Sequence, residues 1–429
     1  ITAYTGLDPS EHGILESVNY FAKGEDRVKV DTSAFQGRTF WDRAGEAGRR
    51  VCVINPFMAY PVWPVNGVMV NGPVFISGKI QVSDLALLEG ICAPESLGGI
   101  VDFPSKKTLG AFCEKVFNDT REQAAFGREL FGCVQPDLFF QAFLTSDRLK
   151  HFLWRFGDPE DPAWPGPNRF EKTIEDFYQL MDEEIGRFAD LLGPGDRLVV
   201  VSDHGHGMRC THVFNVNEFL RQRGDVVSRA RAFGPKRLLE YAKNAFLSIM
   251  ARLDLQDYVK VVAKLIPGAR KIKKGKHLTD NSRNRAYVSD FTGTNPFGGI
   301  CINRNLVEDY EEFRESLMKD LARLEYEGKP VFLWIRKREE MFGGAFLDRF
   351  PDILFAMQPE LGVNWGLHAK MFAKNPTHKA LSGGHREMGV ILSTGALEPE
   401  ASLDRLYGSV LAFWGIQARD STSGSLFRQ

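Results

Sequence analysis

Short apolar runs punctuate this chain. Residues 50–55 (RVCVIN), 137–145 (DLFFQAFLT), 197–202 (RLVVVS), 331–335 (VFLWI), 352–357 (DILFAM) and 389–394 (GVILST) have the unbroken pattern of buried strands. Between them the apolar period changes. Phe170, Ile174, Phe177, Met181, Ile185 and Phe188 recur every three or four residues, which predicts a helix over 169–192 that stops at Gly193-Pro194-Gly195. Val307, Tyr310, Phe313, Leu317, Leu321 and Leu324 repeat that spacing before Gly328. Strands alternating with helices predict an α/β fold with a mainly parallel central sheet sandwiched by helices. In such sheets ligands bind beyond the carboxyl ends of the strands.

One domain spanning 1–429 accounts for this pattern, with two helical insertions. Residues 60–126, rich in Gly and Pro at first and then helical, read as a possible cap. Residues 221–284 read as a basic helical insertion carrying Lys260, Lys264, Lys271, Lys273, Lys274 and Lys276. Those lysines suit a solvated face, or a lid or docking surface toward an anionic substrate or a lipid membrane. A net charge of −1 argues against a polymeric nucleic acid as partner. Cys52, Cys92, Cys113, Cys133, Cys210 and Cys301 form no CxxC pair and read as reduced thiols, which favours the cytoplasm. No apolar run is long enough to span a bilayer.

The chemistry gathers where apolar runs end. In LVVVSDHGHGMR (198–209) a strand gives way to Asp203, His204 and His206 among glycines. In LTSDRLKHFLW (144–154) Asp147 and His151 stand four apart, on one face of a helix if one begins there, with Asp147 alternatively its cap. In LSGGHREMGVILSTG (381–395) His385 lies in a Gly-rich loop before a strand. Two carboxylates and three imidazoles approach the donor set of a two-metal hydrolytic centre, where paired cations clamp attacking and leaving oxygens. Five residues fall short of two complete shells.

The order of these pieces resembles the alkaline phosphatase superfamily, most closely its type I phosphodiesterase/nucleotide pyrophosphatase branch. TGLDPSEHGI (5–14), FWDRAGEAGRRVCVINPFMAYP (40–61), NGVMVNG (66–72), SDRLKHFLWRFGDP, SDHGHG, NVNEFL, DRFPDILF and GGHREMGV follow in the family's order. The resemblance implies an alkaline phosphatase-like fold and a hydrolase of small phosphoesters, with phosphodiester or nucleotide-type substrates favoured. It implies two divalent ions. Asp147, His151 and His385 would hold one, and Asp203 and His204 would belong to the other. Zn²⁺ suits mixed His and Asp ligands, and Mn²⁺ stays open because carboxylates are a large share. The family's Thr or Ser nucleophile and a further Asp ligand fall ahead of Ile1, so an N-terminal segment outside this chain is expected to carry them. Thr2 and Thr5 lie too close to the Thr-Gly motif. Phosphomonoesterase, phosphonate hydrolase and sulfatase activities stay open, as does a binding protein on a decayed hydrolase fold.

Weaker candidates surround this set. His206 shares a side with His204 if the chain is extended there, as support or substrate contact. Asn19 stands near the position of a phosphate-contacting Asn in relatives. Arg386 can offer a bidentate contact to phosphate or a surface salt bridge. His12 looks structural, His212 belongs to a polar loop, and His277, His368 and His378 carry no assignment.

Overall fold

Strand β1 (Val51–Ile54) is apolar at every position because both of its faces are covered. In this computed structural model it pairs in parallel with β2 (Gly67–Asn71) and β4 (Leu138–Gln141), and β3 (Gln81–Val82) joins β2 antiparallel. Side chains alternate between faces. Val51, Val53, Met69, Leu138 and Phe140 meet Phe40, Trp41 and Ala44 of helix α3 (Phe40–Glu46). Cys52, Ile54, Val68, Val70 and Phe139 meet Phe126, Leu130 and Val134 of α4 (Leu109–Val134). Strand β2 and α4 therefore belong to the body of the fold. The structure describes residues 1–15, 32–73, 79–88, 90–91, 93–97, 103–228, 278–289, 294–398, 401–418 and 426–427, with scattered positions in 229–250. Asn19, Cys92 and the six lysines of the basic segment lie outside the described residues.

A second sheet runs β12 (Phe332–Lys337), β13 (Ile353–Met357), β9 (Phe297–Ile302) and β8 (Ala286–Val288), antiparallel throughout. The α/β class holds, but the runs at 331–335 and 352–357 sit here rather than beside β1. Their connection holds only the 3-10 turns Arg338–Glu340 and Leu347–Arg349, without the helix a parallel crossover uses. Leu317 and Leu321 of α8 (Tyr310–Ala322) pack on this sheet, together with Phe214 and Phe355. Phe355 is fully buried, edge-on to Phe332 at 5.1 Å. Phe355→Ala is expected to lower stability by about 3–5 kcal/mol, read as a fall in the urea midpoint.

The remaining strands are short. β7 (His212–Asn215) lies between β14 (Leu361–Asn364), parallel, and β15 (Phe372–Lys374), antiparallel. β10 (Glu325–Tyr326) and β11 (Lys329–Pro330) form a hairpin. β5 (Val199–Val201) pairs with β17 (Ile391–Ser393), and β6 (Gly205–Met208) with β16 (Gly383–Arg386), both antiparallel. Helices α5 (Thr145–Gly157), α6 (Thr173–Ala189) and α4 pack together around Phe112, Leu149, Leu153 and Phe177. Helix α7 (Val216–Arg223) follows β7, and α9 (Leu406–Ala412) packs on α3. Among the described residues no helix is long and apolar enough to cross a membrane, and Cys52, Cys113, Cys133 and Cys210 are free thiols.

The chain enters through α1 (Thr2–Thr5) and α2 (Pro9–His12), the latter closed by a capping box between Asp8 and Glu11. The amides of Gly344 and Phe346 donate to Ser10 Oγ and Ser10 O, at 2.8 and 2.7 Å, and tie this turn to the loop before β13. His12 is buried behind it, its Nδ1 accepting from the Ile14 amide at 3.1 Å. Burial pushes the imidazole down to about 4. The unfolded chain takes up this proton near pH 6.5 and the folded one only near pH 4. The stability is therefore intact above pH 6.5 and is lost as pH falls between those values, by roughly 2–3 kcal/mol. His12→Gln, which keeps an acceptor for Ile14, is expected to flatten that part of the urea-measured stability profile. An unchanged slope would exclude His12 as its source.

Candidate metal centre

Helix α5 begins at Thr145, so Asp147 falls in its first turn rather than at its cap. Asp147 and His151 project from one face as an i, i+4 pair, with His151 Nε2 3.3 Å from Asp147 Oδ1. The β6–β16 ribbon lies across this face. His385 lies within strand β16, not in a loop before a strand. Gly383 and Gly384 have weak strand preference of their own, and the extended form comes from pairing with Gly207 and Met208. His385 stands directly opposite His206. In an antiparallel pair such partners share a face, which brings both imidazoles over α5.

The result is a carboxylate surrounded by imidazoles. Asp147 Oδ1 lies 3.2 Å from His385 Nε2, 3.9 Å from His206 Nδ1 and 4.0 Å from His204 Nε2. His151 Nε2 and His385 Nε2 are 3.0 Å apart, and the His204 ring stacks on His385 at 3.7 Å. Burial alone would raise the Asp147 carboxyl. Hydrogen bonding with His151 and His385, and the charge these imidazoles carry when protonated, outweigh that and hold it far below the usual carboxylate range. Asp147 is thus an anion throughout the physiological pH range.

The backbone sets two of the imidazoles. His151 Nδ1 donates to the Gly383 carbonyl at 2.8 Å, and His204 Nδ1 to the Gly205 carbonyl at 2.9 Å. A carbonyl can only accept, so the Nδ1 atoms carry the protons and each Nε2 turns toward Asp147. Ligands about 2.0–2.1 Å from a tetrahedral ion lie roughly 3.3 Å from one another. The Asp147, His151 and His385 atoms are spaced accordingly. His206, with a side chain only 2% exposed, has no hydrogen-bond partner at either ring nitrogen. An imidazole-rich donor set around one carboxylate, with a buried unpaired nitrogen beside it, fits a divalent transition metal.

The sequence reading divides the ligands into two sets. The geometry joins them, because His204 closes on Asp147 and His385. Asp203 stays at the mouth, its side chain 76% exposed and its Oδ2 3.6 Å from His204 Nε2. Its charge reaches Tyr4 in α1, whose phenol is raised by burial first and by Asp203 in addition. Arg386 follows His385 on the strand and so points to the other face. Its guanidinium donates to the carbonyls of His385 and Met208, which leaves the phosphate contact without support. His378 pairs with buried Asp161 at 2.9 Å, well apart in role from the cluster. The contribution missed in the sequence is backbone: the Gly383 and Gly205 carbonyls orient the His151 and His204 imidazoles. The glycines beside His204 and His385 were the available signal.

Comparison with known proteins gives three findings. Residues 1–364 match the family profile of type I phosphodiesterase / nucleotide pyrophosphatase. No curated protein matches in a sequence search. Among solved structures, the chain is similar to phosphonoacetate hydrolase from Sinorhizobium meliloti 1021 in complex with phosphonoacetate, at 15% identity and a TM-score of 0.47, over 96% of this chain and 83% of that one. It is similar to murine ectonucleotide pyrophosphatase / phosphodiesterase 5 at 13% identity and a TM-score of 0.43, over 99% and 84%. The human form of that protein gives 13%, 0.44, 99% and 84%. At this level of likeness neither the substrates nor the site residues of those proteins transfer to this chain.

Proposed function

The chain belongs to the type I phosphodiesterase / nucleotide pyrophosphatase family and is a phosphoric ester hydrolase, and from that premise we propose that Asp147, His151, His204 and His385 hold a divalent metal at which phosphodiester or nucleotide-type esters are cleaved. Where a second ion is bound, Asp203 at the exposed rim and His204 hold it, and Asp147, His151 and His385 keep the first. Zinc is the metal proposed, since imidazoles outnumber carboxylates around Asp147. The observation that carries the reading is the convergence of three imidazoles from separate segments on one partly buried carboxylate.

A bound divalent ion would supply Lewis-acid polarisation of the phosphoryl oxygens and charge to offset that developing in the transition state. The protein's part is to hold the donors still. Asp147 supplies the negative charge that selects a cation over a proton. The Gly383 and Gly205 carbonyls keep the His151 and His204 protons on Nδ1, so that Nε2 needs no rearrangement to bind. Trp154 lies beside His206, 6.1 Å away between ring centres. Asp203, being exposed, is placed to meet an incoming polar substrate group or a further cation.

The test combines metal analysis with hydrolysis of bis(p-nitrophenyl) phosphate. Purified protein is expected to carry tightly bound zinc or manganese. Chelation is expected to cut turnover by at least about 10²-fold, and metal to restore it. Metal-free protein that hydrolyses the diester at the full rate would sink this reading.

A further inference from the structure

The centre has one more imidazole than the proposed set uses, and its placement is not what a structural histidine needs. The His206 side chain is almost fully buried, yet neither ring nitrogen has a hydrogen-bond partner. An unpaired buried polar atom costs about 1–3 kcal/mol. Phenylalanine would pack edge-on against His151, as His206 does at 4.7 Å, without that cost. The ring is not merely near the cluster. Its Nδ1 lies 3.9 Å from Asp147 Oδ1, and Asp147, His204, His206 and His385 each offer a donor atom within 4.8 Å of all the others. Two donors bound to one ion at about 2.1 Å can stand at most about 4.2 Å apart. The Asp147–His206 pair meets that limit already, and these four donors meet it after shifts of a few tenths of an ångström.

We propose that His206 is a metal ligand through Nδ1, an inner imidazole that closes the site on the side away from solvent. The proposal rests on the metal-dependent reading above and adds to it. The remaining Nε2 faces the same small space as the Lys150 carbonyl, because a Cβ placed on Gly383 would lie 2.8 Å from one and 2.2 Å from the other. Metal-bound imidazoles commonly direct their second nitrogen to such a carbonyl. A further nitrogen ligand also has a consequence for selectivity. It moves the set toward zinc and cobalt and away from oxygen-preferring magnesium and manganese.

The experiment uses full-length chain stripped by chelation and titrated with Zn²⁺, Co²⁺ and Mn²⁺, for wild type, His206→Phe and His206→Asn. Zinc binding is expected to weaken roughly 10–100-fold in both variants, and manganese binding by less. The visible spectrum of the cobalt complex changes, and the zinc-induced rise in Tm shrinks. Metal-free His206→Phe is expected to melt at or above the wild-type temperature, as a purely structural histidine would not require. Unchanged zinc affinity and an unchanged cobalt spectrum in the variants would overturn the assignment and leave the hydrolase reading standing. Wild-type protein that binds none of these metals would remove both. His206→Asn carries the same readouts should the phenylalanine variant fail to fold.

Discussion

Asp147→Asn is expected to reduce metal-dependent hydrolysis of phosphodiesters by about 10³-fold or more, and to leave the protein largely free of metal. The substitution keeps the shape of the side chain and removes its charge. That charge is the only carboxylate among the inner donors, with His385, His151, His206 and His204 at 3.2, 3.3, 3.9 and 4.0 Å. A neutral amide binds transition metals weakly, and its NH₂ would compete for the Nε2 lone pairs of His151 and His385. Loss of one preorganised charge at such a site costs at least 10²–10³ in turnover, and loss of the metal adds to it. The measurements are kcat on bis(p-nitrophenyl) phosphate and metal content by atomic emission. Activity within tenfold of wild type, with full metal content, would remove Asp147 from the centre.

Gly383→Ala is expected to be nearly as damaging, though it adds only a methyl group. A Cβ there would lie 2.2 Å from the Lys150 carbonyl oxygen and 2.8 Å from His206 Nε2. The first contact is with helix backbone, which cannot turn aside. Strand β16 must therefore retreat from α5, and it carries both His385 and the carbonyl that orients His151. Overpacking of this kind costs typically 1–3 kcal/mol, and a displacement near 1 Å in a catalytic constellation costs on the order of 10²-fold in rate. Lower Tm, weaker zinc binding and lower kcat should appear together. Gly186→Ala is the contrasting case. Gly186 is inside helix α6 with open space where its Cβ would go, so that variant is expected to gain up to about 1 kcal/mol. A Gly383→Ala protein with wild-type metal affinity would refute the close approach.

Much of this arrangement was legible in the chain because its cause is local. The run over Val51–Ile54 is apolar throughout since helices cover both faces of β1, and a strand of that kind writes itself into composition. The i, i+4 spacing of Asp147 and His151 likewise needs only a helix. Strand direction is different. Residues 332–337 and 353–357 read as buried strands in either sense, and only the connection between them makes them antiparallel. The register of β6 on β16 was also out of reach. Nothing local pairs His206 with His385, so a ligand candidate looked like a residue of support or substrate contact. The same ignorance of register left Arg386 open between a phosphate contact and a surface salt bridge, whereas along β16 its guanidinium donates to the His385 and Met208 carbonyls. Glycine-rich stretches hide their strands, since the pairing partner rather than the residue imposes extension.

The ribbon has a consequence for how the protein is made. His151 meets Gly383 across 232 residues and His385 across 234, and Asp147 meets His385 across 238. Contacts of such separation form late, after the loops between them have closed. A growing chain presents α5 and its two donors long before β16 leaves the ribosome, and during that interval no complete metal site exists. A metal held at the proposed centre would load only after β16 has reached α5, and would tie these two distant segments together. Metal binding then stabilises the whole folded state in proportion to its occupancy, so that resistance to proteolysis should rise throughout the chain when the protein is charged, not only beside the histidines.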